Sequence, residues 1–569
     1  MTSPAMSPTL SQGDSYKWVV LSNTTLGMLA AAINSSILLI SLPAVFRGIG
    51  LKALDPGNIN YLLWAIIGYM ISVAVLVVAF GRLGDQFGRV RMYNLGFSIF
   101  TIASLALSLL PGHGDFAAVY LIAVRIFQGV GGALIMANST AILTDVFPPH
   151  QRGLALGINV VAAIGGQFVG LLIGGLLADS NWRLVFWINV PFGLVGTIWA
   201  YWKLREIPNR VSHKIDWAGN ISFGLGLILV LSAITYGIQP YGDDVMAWTS
   251  PKVLALFALG ILCLIVFTVV EKRIAKPMLD FHLFEIPGFA YGNIANLASA
   301  IARGGLQFML IIWLQGIWLP LHGYTFEETP LWSAVAMLPL TVGFLLGGPI
   351  AGYFSDRIGG IAFSVGGMVL GAASFIALML LPSDFSYITF SLLLFGNGLG
   401  SGLFVAPNAT QIMNSVPKKE RGQASGMRAT TTNAGQVLSI GLFFSLMLLG
   451  LAQMLPQSME AGLLAERVPA SIAHQVAMTP PVASLFAAFL GYNPMGELIP
   501  ADILHSLPAD SVAALTGSAF FPSLMAAPFQ HGLLYAFTFS ALLYLVAAYC
   551  SWRGGSEVAP EIEVTAAAE

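Results

Sequence analysis

Apolar stretches of about 20 residues recur along the whole 569-residue chain. An α-helix needs a run of this length to cross the hydrocarbon core of a bilayer. The pattern shows none of the ten-residue alternation of a membrane barrel. The sequence therefore predicts an all-α membrane protein with about fourteen transmembrane helices, centred near residues 30, 70, 101, 128, 166, 193, 228, 261, 304, 341, 372, 399, 438 and 542.

These spans contain an internal repeat. Residues 129–167 align without a gap on residues 398–436 and are identical at eleven positions. A second match sets residues 81–89 on residues 352–360. Both copies meet the membrane from the same side, so the repeat is parallel. The span count then predicts two parallel-related six-helix bundles plus a two-helix insert.

Lys and Arg are unevenly distributed between the loops. With the amino terminus inside, seventeen of the 25 fall in cytoplasmic segments and five in outer segments, as expected for cytoplasmic loops. We expect a multi-pass plasma-membrane protein with both termini cytoplasmic. The predicted segments are a cytoplasmic tail (1–17), an N-terminal bundle (18–202), a cytoplasmic loop (203–216), two inserted helices (217–270), a second cytoplasmic loop (271–287), a C-terminal bundle (288–552) and a cytoplasmic tail (553–569).

Composition narrows the class of protein. Hydrophobic residues make up 56% and charged residues 9% of the chain, against roughly 25% charged residues in soluble domains. A net charge of −2 offers no basic surface for nucleic acid. The histidines form no metal-binding pair at helical spacing, and no phosphate-binding glycine loop is present. We expect a monomer without enzymatic activity, metal or cofactor, whose partners are the lipid bilayer, protons and a small amphiphilic substrate.

Residues 455–530 depart from the pattern of spans. They form a predicted outer loop far longer than ordinary loops. Its apolar pieces, of roughly 10–14 residues, are too short to cross a bilayer. Two interpretations stay open: short helices packed on the outer face, and a lid over the outer mouth of the protein.

The loop between the second and third spans reads GRLGDQFGRVR. Its glycines permit a tight turn, and Asp85 can accept hydrogen bonds from the amino end of a neighbouring helix or pair with Arg89. Contacts of this kind can form in one conformation and break in another, which favours a cytoplasmic latch over a plain charged turn. The residues assigned to this latch, including a degenerate second copy, are Gly81, Asp85, Gly88, Arg89, Asp356 and Arg357.

Polar side chains inside the spans are the candidate site. Arg125 lies near mid-membrane in the fourth span, where a buried guanidinium costs several kcal/mol and is functional by default. Structural pairing is the alternative role. Span five carries a small-residue motif that permits close helix packing: Gly166, Gly170, Gly174 and Gly175. The candidate residues of a substrate cavity are Gln167, Arg303, Gln307, Thr431, Asn433 and Gln436.

These motifs resemble the major facilitator superfamily, and specifically its fourteen-span drug/proton antiporter family. Residues 81–89 resemble that superfamily's loop between spans two and three, RIFQGVGGA (residues 125–133) resembles its span-four motif, and residues 181–193 resemble the sequence leading into span six. The resemblance implies proton-coupled export of hydrophobic or amphiphilic compounds by alternating access. It also implies a role for Arg125 in proton handling and for Asp85 in the latch.

One departure from the family changes the expected chemistry. Where the family's span-one motif carries an acidic residue, this chain has Asn34, and no Asp or Glu falls near the centre of any span. Arg303, by contrast, lies near the centre of the ninth span, and Gly304 and Gly305 are expected to leave room beside its side chain. A cavity with arginine and no carboxylate favours an alternative function, export of acidic lipids, fatty acids or other organic anions. The structural alternative for Arg303 is capping of backbone carbonyls at a glycine-broken helix.

Overall fold

The computed structural model describes residues 14–51, 58–148, 151–206, 217–242, 244–274, 277, 280–417 and 420–556, without the side chains of residues 14, 153, 179, 217, 356–358, 422 and 556. Most of the predicted tails (1–17 and 553–569) and of the predicted loop 203–216 therefore lie outside the described residues.

The described chain is helical, and fourteen of its helices are long and apolar enough to cross a membrane. This confirms the predicted all-α membrane fold. The first half contains α1 (Asp14–Gly48), α2 (Asn58–Phe87), α3 (Arg89–Ser108), α4 (Gly114–Val146), α5 (Arg152–Ser180), α6 (Leu184–Trp187) and α7 (Asn189–Lys203). The two inserted helices are α8 (Trp217–Gly237) and α9 (Pro251–Glu271).

The second half begins with α10 (Pro287–Trp313), which continues through a π-helical turn at Leu314–Trp318. The following helices are α11 (Leu319–Leu321), α12 (Thr329–Ala336), α13 (Leu338–Ile358), α14 (Gly360–Met379), α15 (Tyr387–Asn414) and α16 (Arg421–Ala465). The chain ends with α17 (Ala470–Ala477), α18 (Pro481–Phe489), α19 (Met495–Leu498), α20 (Ala501–Ser506), α21 (Ala509–Thr516) and α22 (Phe520–Ser556).

The same helix pairs form in both halves. In the first half α1 packs on α5, α2 on α4 and α3 on α4. In the second half the corresponding pairs are α10 with α16, α13 with α15, and α14 with α15. Helices α8 and α9 pack on each other, and α8 contacts both α2 and α16. The fold is therefore two parallel-related six-helix bundles with a two-helix insert, as the repeat predicts.

Glycines set the distance between α1 and α5. A Cβ atom added at Gly170 or at Gly174 would lie 2.7 Å from a backbone carbonyl oxygen of α1, that of Ile33 or Ile37. Gly166 faces Ala32 one turn earlier, and the repeat places Gly435 against Ala300 in the same way. Small residues of this kind allow helix backbones in a bilayer to approach closely.

Residues 455–530 are not a loop throughout, because helices occupy both ends of the predicted range. Helix α16 continues to Ala465, and α22 starts at Phe520. Leu455, Met459 and Leu463, spaced four residues apart, lie on one face of α16 and are fully buried. Burial of this face explains why the helix persists beyond the length that a bilayer needs. Residues 466–519 between the two helices are named the outer segment below.

Helix α18 of the outer segment is buried within the second bundle. The helix follows α17 after a bend of 82°, and all its residues from Val482 to Phe489 are buried. Phe486 stacks on Phe444 of α16 with ring centres 5.3 Å apart, and Phe489 lies 6.1 Å from Phe308 of α10. Helix α18 thus inserts between helices of the second bundle.

Gly170→Val is expected to lower the stability of the protein by about 1–3 kcal/mol, because the larger side chain meets the Ile33 carbonyl and forces α5 away from α1. Thermal unfolding of the protein in lipid nanodiscs measures this loss. Gly157→Val is the matched control on the same helix, since a Cβ atom there meets open space. Equal melting temperatures for the two variants would contradict the packing role of Gly170.

Candidate functional site

A small cavity of about 50 Å³ lies between the two bundles. Ala32 of α1 contacts Gly166, and Ala300 of α10 contacts the equivalent Gly435. These equivalent contacts align α1 with α10. In this alignment Ser36 matches Gly304, and Leu39 matches Gln307. All four of these residues line the cavity. The glutamines matched by the repeat, Gln167 and Gln436, lie in its wall as well. The two halves therefore contribute equivalent positions to one shared site.

The cavity wall combines amides with apolar side chains. Gln167, Gln307 and Gln436 supply carboxamides, while Met70 and Phe308 supply apolar surface. Pockets for drug-sized ligands measure about 300–1,000 Å³, so this cavity would have to expand to hold such a ligand. Expansion requires the bundles to move relative to each other, since each bundle is closely packed within itself.

The bundles contact each other at the end of the molecule that the charge pattern assigns to the outside. Arg47, just after the membrane portion of α1, forms an ion pair of 3.2 Å with Glu327. Gln315 donates a hydrogen bond to the carbonyl oxygen of Ile40 (3.2 Å). Gly175 of α5 packs against the backbone of Leu331 in α12. Gly175 thus packs against the second bundle, whereas the other three glycines of the predicted packing motif face α1 of their own bundle.

At the opposite end of the molecule, two equivalent glycines of α5 and α16 face open space. Nothing lies within 4 Å of a Cβ atom added at Gly157 of α5 or at its repeat counterpart Gly426 of α16. In the described part of the chain, the close approach of α5 to the second bundle is therefore at the predicted outer end. On that side of the central cavity, α5 packs directly against α12.

Arg125 of α4 is 1% exposed and lies at the centre of a polar network. Its Nη1 donates to Gln128 Oε1 (3.0 Å) and to Asn34 Oδ1 (3.2 Å). Its guanidinium carbon lies 4.7 Å from the ring centre of Tyr69, and Asn189 also donates to Asn34 Oδ1 (3.3 Å). None of the described carboxylates belongs to this network. Amide dipoles and an aromatic face surround the cation where an ion pair would be expected.

The predicted latch residues hold one bundle together. Arg89 Nε donates to Asp85 Oδ1 (2.8 Å), and Arg89 Nη1 donates to Asp145 Oδ1 (2.6 Å) of α4. Asp85 thus pairs with Arg89, and the expected bond to a helix amino end is absent from its described contacts. Gly88, with φ of 110°, forms the turn before α3, while Gly81 faces open space.

Arg82, which is not among the predicted latch residues, links this loop to the segment that precedes the second bundle. Its guanidinium donates to the carbonyl oxygen of Pro277, to which Gln423 of α16 also donates (3.5 Å). The second latch copy, Asp356 and Arg357, lies at the end of α13, and its side chains are outside the described part of the structure.

The predicted surroundings of Arg303 are partly wrong. Helix α10 runs unbroken through Gly304 and Gly305, and none of the described backbone carbonyls accepts a hydrogen bond from Arg303. The two glycines face Ser439 and Phe443 of α16. They let the helices approach closely and therefore leave no room for a bulky group.

The remaining cavity candidates lie elsewhere in the second bundle. Arg303 directs its guanidinium toward Phe344 of α13, 5.4 Å from the ring centre. Thr431 donates to the carbonyl oxygen of Met427 in its own helix (2.8 Å). Asn433 is half-buried. Of the six predicted cavity residues, the structure brings the three glutamines together and leaves these three outside the described wall.

Two like-oriented helical bundles that enclose one shared site define a membrane transporter. Residues 24–440 match the Major Facilitator Superfamily, and the chain belongs to that superfamily.

Relatives and solved structures agree with this assignment. A riboflavin transporter of Clostridioides difficile (strain 630) is 28% identical over 434 residues, which are 75% of this chain and 88% of the relative. Multidrug resistance protein 3 of Bacillus subtilis (strain 168) is 26% identical over 445 residues, or 77% and 81% of the two chains. A bacterial homolog of the human lysosomal transporter Spinster, in an inward-facing and unoccupied conformation, has the same fold at 16% identity, with a TM-score of 0.56 over 95% of this chain and 99% of that one.

Asn34→Ala is expected to destabilise the protein by about 1.5–3 kcal/mol, because it removes a hydrogen bond to the charged Arg125 group. Asn159→Ala is the matched control in the same bundle, where the amide donates to the uncharged hydroxyl of Ser139 (3.0 Å). Its expected cost is about 1 kcal/mol. Melting temperatures in nanodiscs compare the two variants. A smaller loss for Asn34→Ala than for Asn159→Ala would count against the network.

Proposed function

We propose that the protein is a secondary active transporter of the plasma membrane that exports hydrophobic or amphiphilic compounds by alternating access. The observation that carries this proposal is the shared cavity, to which the two bundles contribute equivalent positions of α1 and α10 and of α5 and α16. A rocking motion of the bundles about this cavity would expose it to each side of the membrane in turn.

The chemistry of the wall supports an amphiphilic substrate. The three glutamines can each donate and accept a hydrogen bond, while Leu39, Phe308 and Ile440 offer apolar contact. Relatives named for multidrug resistance and for tetracenomycin C resistance and export, the latter from Streptomyces glaucescens, agree with export of compounds of this kind.

Reconstituted vesicles test the proposal directly. Wild-type protein is expected to move neutral, cationic or anionic amphiphiles of a fluorescent panel across the vesicle membrane. Its rates should exceed those of protein-free vesicles. The double variant Gln167→Ala/Gln436→Ala is expected to slow this movement, because it removes equivalent polar groups from both sides of the cavity. Rates equal to those of empty vesicles for every member of the panel would refute the proposed function.

Coupling to protons is the finer part of the proposal, and it rests on the family resemblance. The predicted coupling residues are Arg125 and Asn34, but the Asn34 carboxamide binds no proton at ordinary pH. The contacts of Arg125 with Asn34 and Gln128 support a structural role for this network. Proton flux opposite to substrate flux therefore stays a prediction.

Asn34→Asp is expected to increase the response of transport to an imposed pH gradient several-fold, because it places a titratable carboxylate beside Arg125. Initial rates in vesicles, with and without the gradient, measure this response. Asn159→Asp adds a carboxylate to the same bundle outside the Arg125 network and is the matched control. The prediction does not hold if both variants respond to the gradient as the wild type does.

The outer segment is proposed to close the outer side of the substrate path. Helix α18 is buried between α10 and α16, and Phe489 at its end lies against Phe308, which lines the cavity. A carbonyl of the same helix approaches Gly316, where an added Cβ atom would lie 2.7 Å from the Ala488 oxygen. These contacts support the lid over the alternative of helices packed on the outer face. Release to the outside would then require α18 to move.

Phe489→Ala is expected to make the cavity more accessible from the outside, because it removes the ring that contacts Phe308. The rate at which a membrane-impermeant thiol reagent modifies Gln307→Cys measures this access, in a background where Cys263 and Cys550 are replaced by Ser. Met478→Ala, at an exposed position of the outer segment, is the control. An unchanged modification rate in Phe489→Ala would place the outer barrier elsewhere.

A further inference from the structure

Four buried phenylalanine rings lead from the central cavity to the outer segment. Phe308 of α10 lines the cavity, and its ring centre lies 4.8 Å from that of Phe444 on α16. Phe486 of α18 stacks on Phe444 (5.3 Å, with 23° between the ring planes), and Phe489 of α18 lies 6.1 Å from Phe308. Each of the four residues is at most 1% exposed. The rings therefore form one continuous aromatic cluster.

This cluster has two parts of different origin. Phe308 and Phe444 belong to α10 and α16, which pack on each other within the second bundle, and this pair is named the aromatic seat. Phe486 and Phe489 come from α18 of the outer segment, which is only nine residues long and follows α17 after a bend of 82°. Rings of the outer segment thus cover rings of the bundle.

Apolar contacts attach α18 to the aromatic seat. In the described part of the chain, no side-chain hydrogen bond or ion pair joins α18 to either bundle. The hydroxyl of Ser484 on this helix is buried and has no hydrogen-bond partner among the described residues. Because apolar contacts are non-directional, another flat ring can replace Phe486 on the seat without leaving a hydrogen bond unmade.

Release of a substrate to the outside connects the aromatic seat to the substrate path. Under the proposed function, α18 moves before a substrate leaves the cavity toward the outside. That movement uncovers the rings of Phe308 and Phe444, and exposure of apolar surface to water is unfavourable. Phe308 belongs to both the cavity wall and the seat, so a substrate in the cavity already lies beside it. A substrate that carries a planar ring can cover the seat as α18 leaves it.

We infer that Phe308 and Phe444 form an aromatic subsite, which α18 occupies in this structure and which a planar aromatic group of the substrate occupies when α18 withdraws. Stacked rings attract each other beyond the contribution of buried area, so an aromatic substrate stabilises the withdrawn state more than an aliphatic one does. A ligand shifts a conformational equilibrium only through such a difference in affinity. This inference rests on the proposed export of amphiphiles and selects planar aromatic compounds among them.

Equilibrium dialysis against purified protein in nanodiscs tests the subsite, with empty nanodiscs as the blank. The probes are radiolabelled 2-naphthol and decahydro-2-naphthol, which share a carbon skeleton and a hydroxyl but differ in ring planarity. The wild type is expected to bind 2-naphthol about fivefold more tightly, because only its ring can stack on Phe444. Phe444→Leu is expected to abolish this preference. Phe375→Leu, which removes an equally buried ring from two ring contacts elsewhere in the second bundle, is the control and should keep it.

A second measurement separates the subsite from a purely structural role of the rings. Ser484→Cys, in a background where Cys263 and Cys550 are replaced by Ser, places a buried thiol on α18. Saturating 2-naphthol is expected to raise several-fold the rate at which a water-soluble reagent modifies this thiol, because α18 leaves the seat, whereas decahydro-2-naphthol should leave the rate unchanged. Added Phe444→Leu is expected to remove the effect of 2-naphthol. Loss of packing alone would instead raise the rate equally with and without the probe.

The outcomes distinguish this subsite from the proposed function. Equal affinity of the wild type for the two probes, or an unchanged modification rate with 2-naphthol, refutes the subsite, while export of amphiphiles still stands. If the wild type moves no amphiphile of any kind in vesicles, the proposed function is wrong. A preference for 2-naphthol that Phe444→Leu abolishes, together with exposure of the thiol on α18, would still establish the aromatic subsite.

Discussion

The hydrocarbon core of the membrane offers no water, so each charge inside it must find a partner within the protein or a ligand. The two bundles meet this constraint differently. In the first bundle, amide oxygens of Asn34 and Gln128 accept hydrogen bonds from Arg125. In the second, the guanidinium of Arg303 faces the ring of Phe344, and none of the described residues accepts a hydrogen bond from it. The parallel repeat therefore preserves the backbone arrangement, while the polar chemistry of the two halves has diverged.

Close packing within each bundle directs conformational change to the boundary between them. Glycines such as Gly170 and Gly174 bring α5 against the backbone of α1, and well-packed helices move as units. Fewer contacts join the two bundles, and they include the ion pair of Arg47 with Glu327. Breaking these contacts is easier than repacking a bundle. The central cavity, lying on the boundary, is the place that such a motion would enlarge.

Features that depend on local composition could be predicted from the sequence. Span length and the parallel repeat gave the fold, and polar residues matched by the repeat pointed to Gln167 and Gln436 in the cavity wall. Features that depend on distant contacts could not. The sequence predicts free space beside Gly304 and Gly305, whereas in the structure α16 packs against both glycines. The bond of Arg82 to Pro277 joins segments that no local pattern connects.

Helix α16 has 45 residues, which at 1.5 Å each make a rod of about 67 Å, more than twice the roughly 30 Å of hydrocarbon. Near its end it packs against the long helix α22, where Ser458 donates a hydrogen bond to the carbonyl oxygen of Leu524 (2.8 Å). Together they act as a lever arm fixed to one bundle. A tilt of a few degrees near the middle of α16 becomes a displacement of several ångströms at its tip, so an antibody fragment bound there could report on, or arrest, a relative motion of the two bundles.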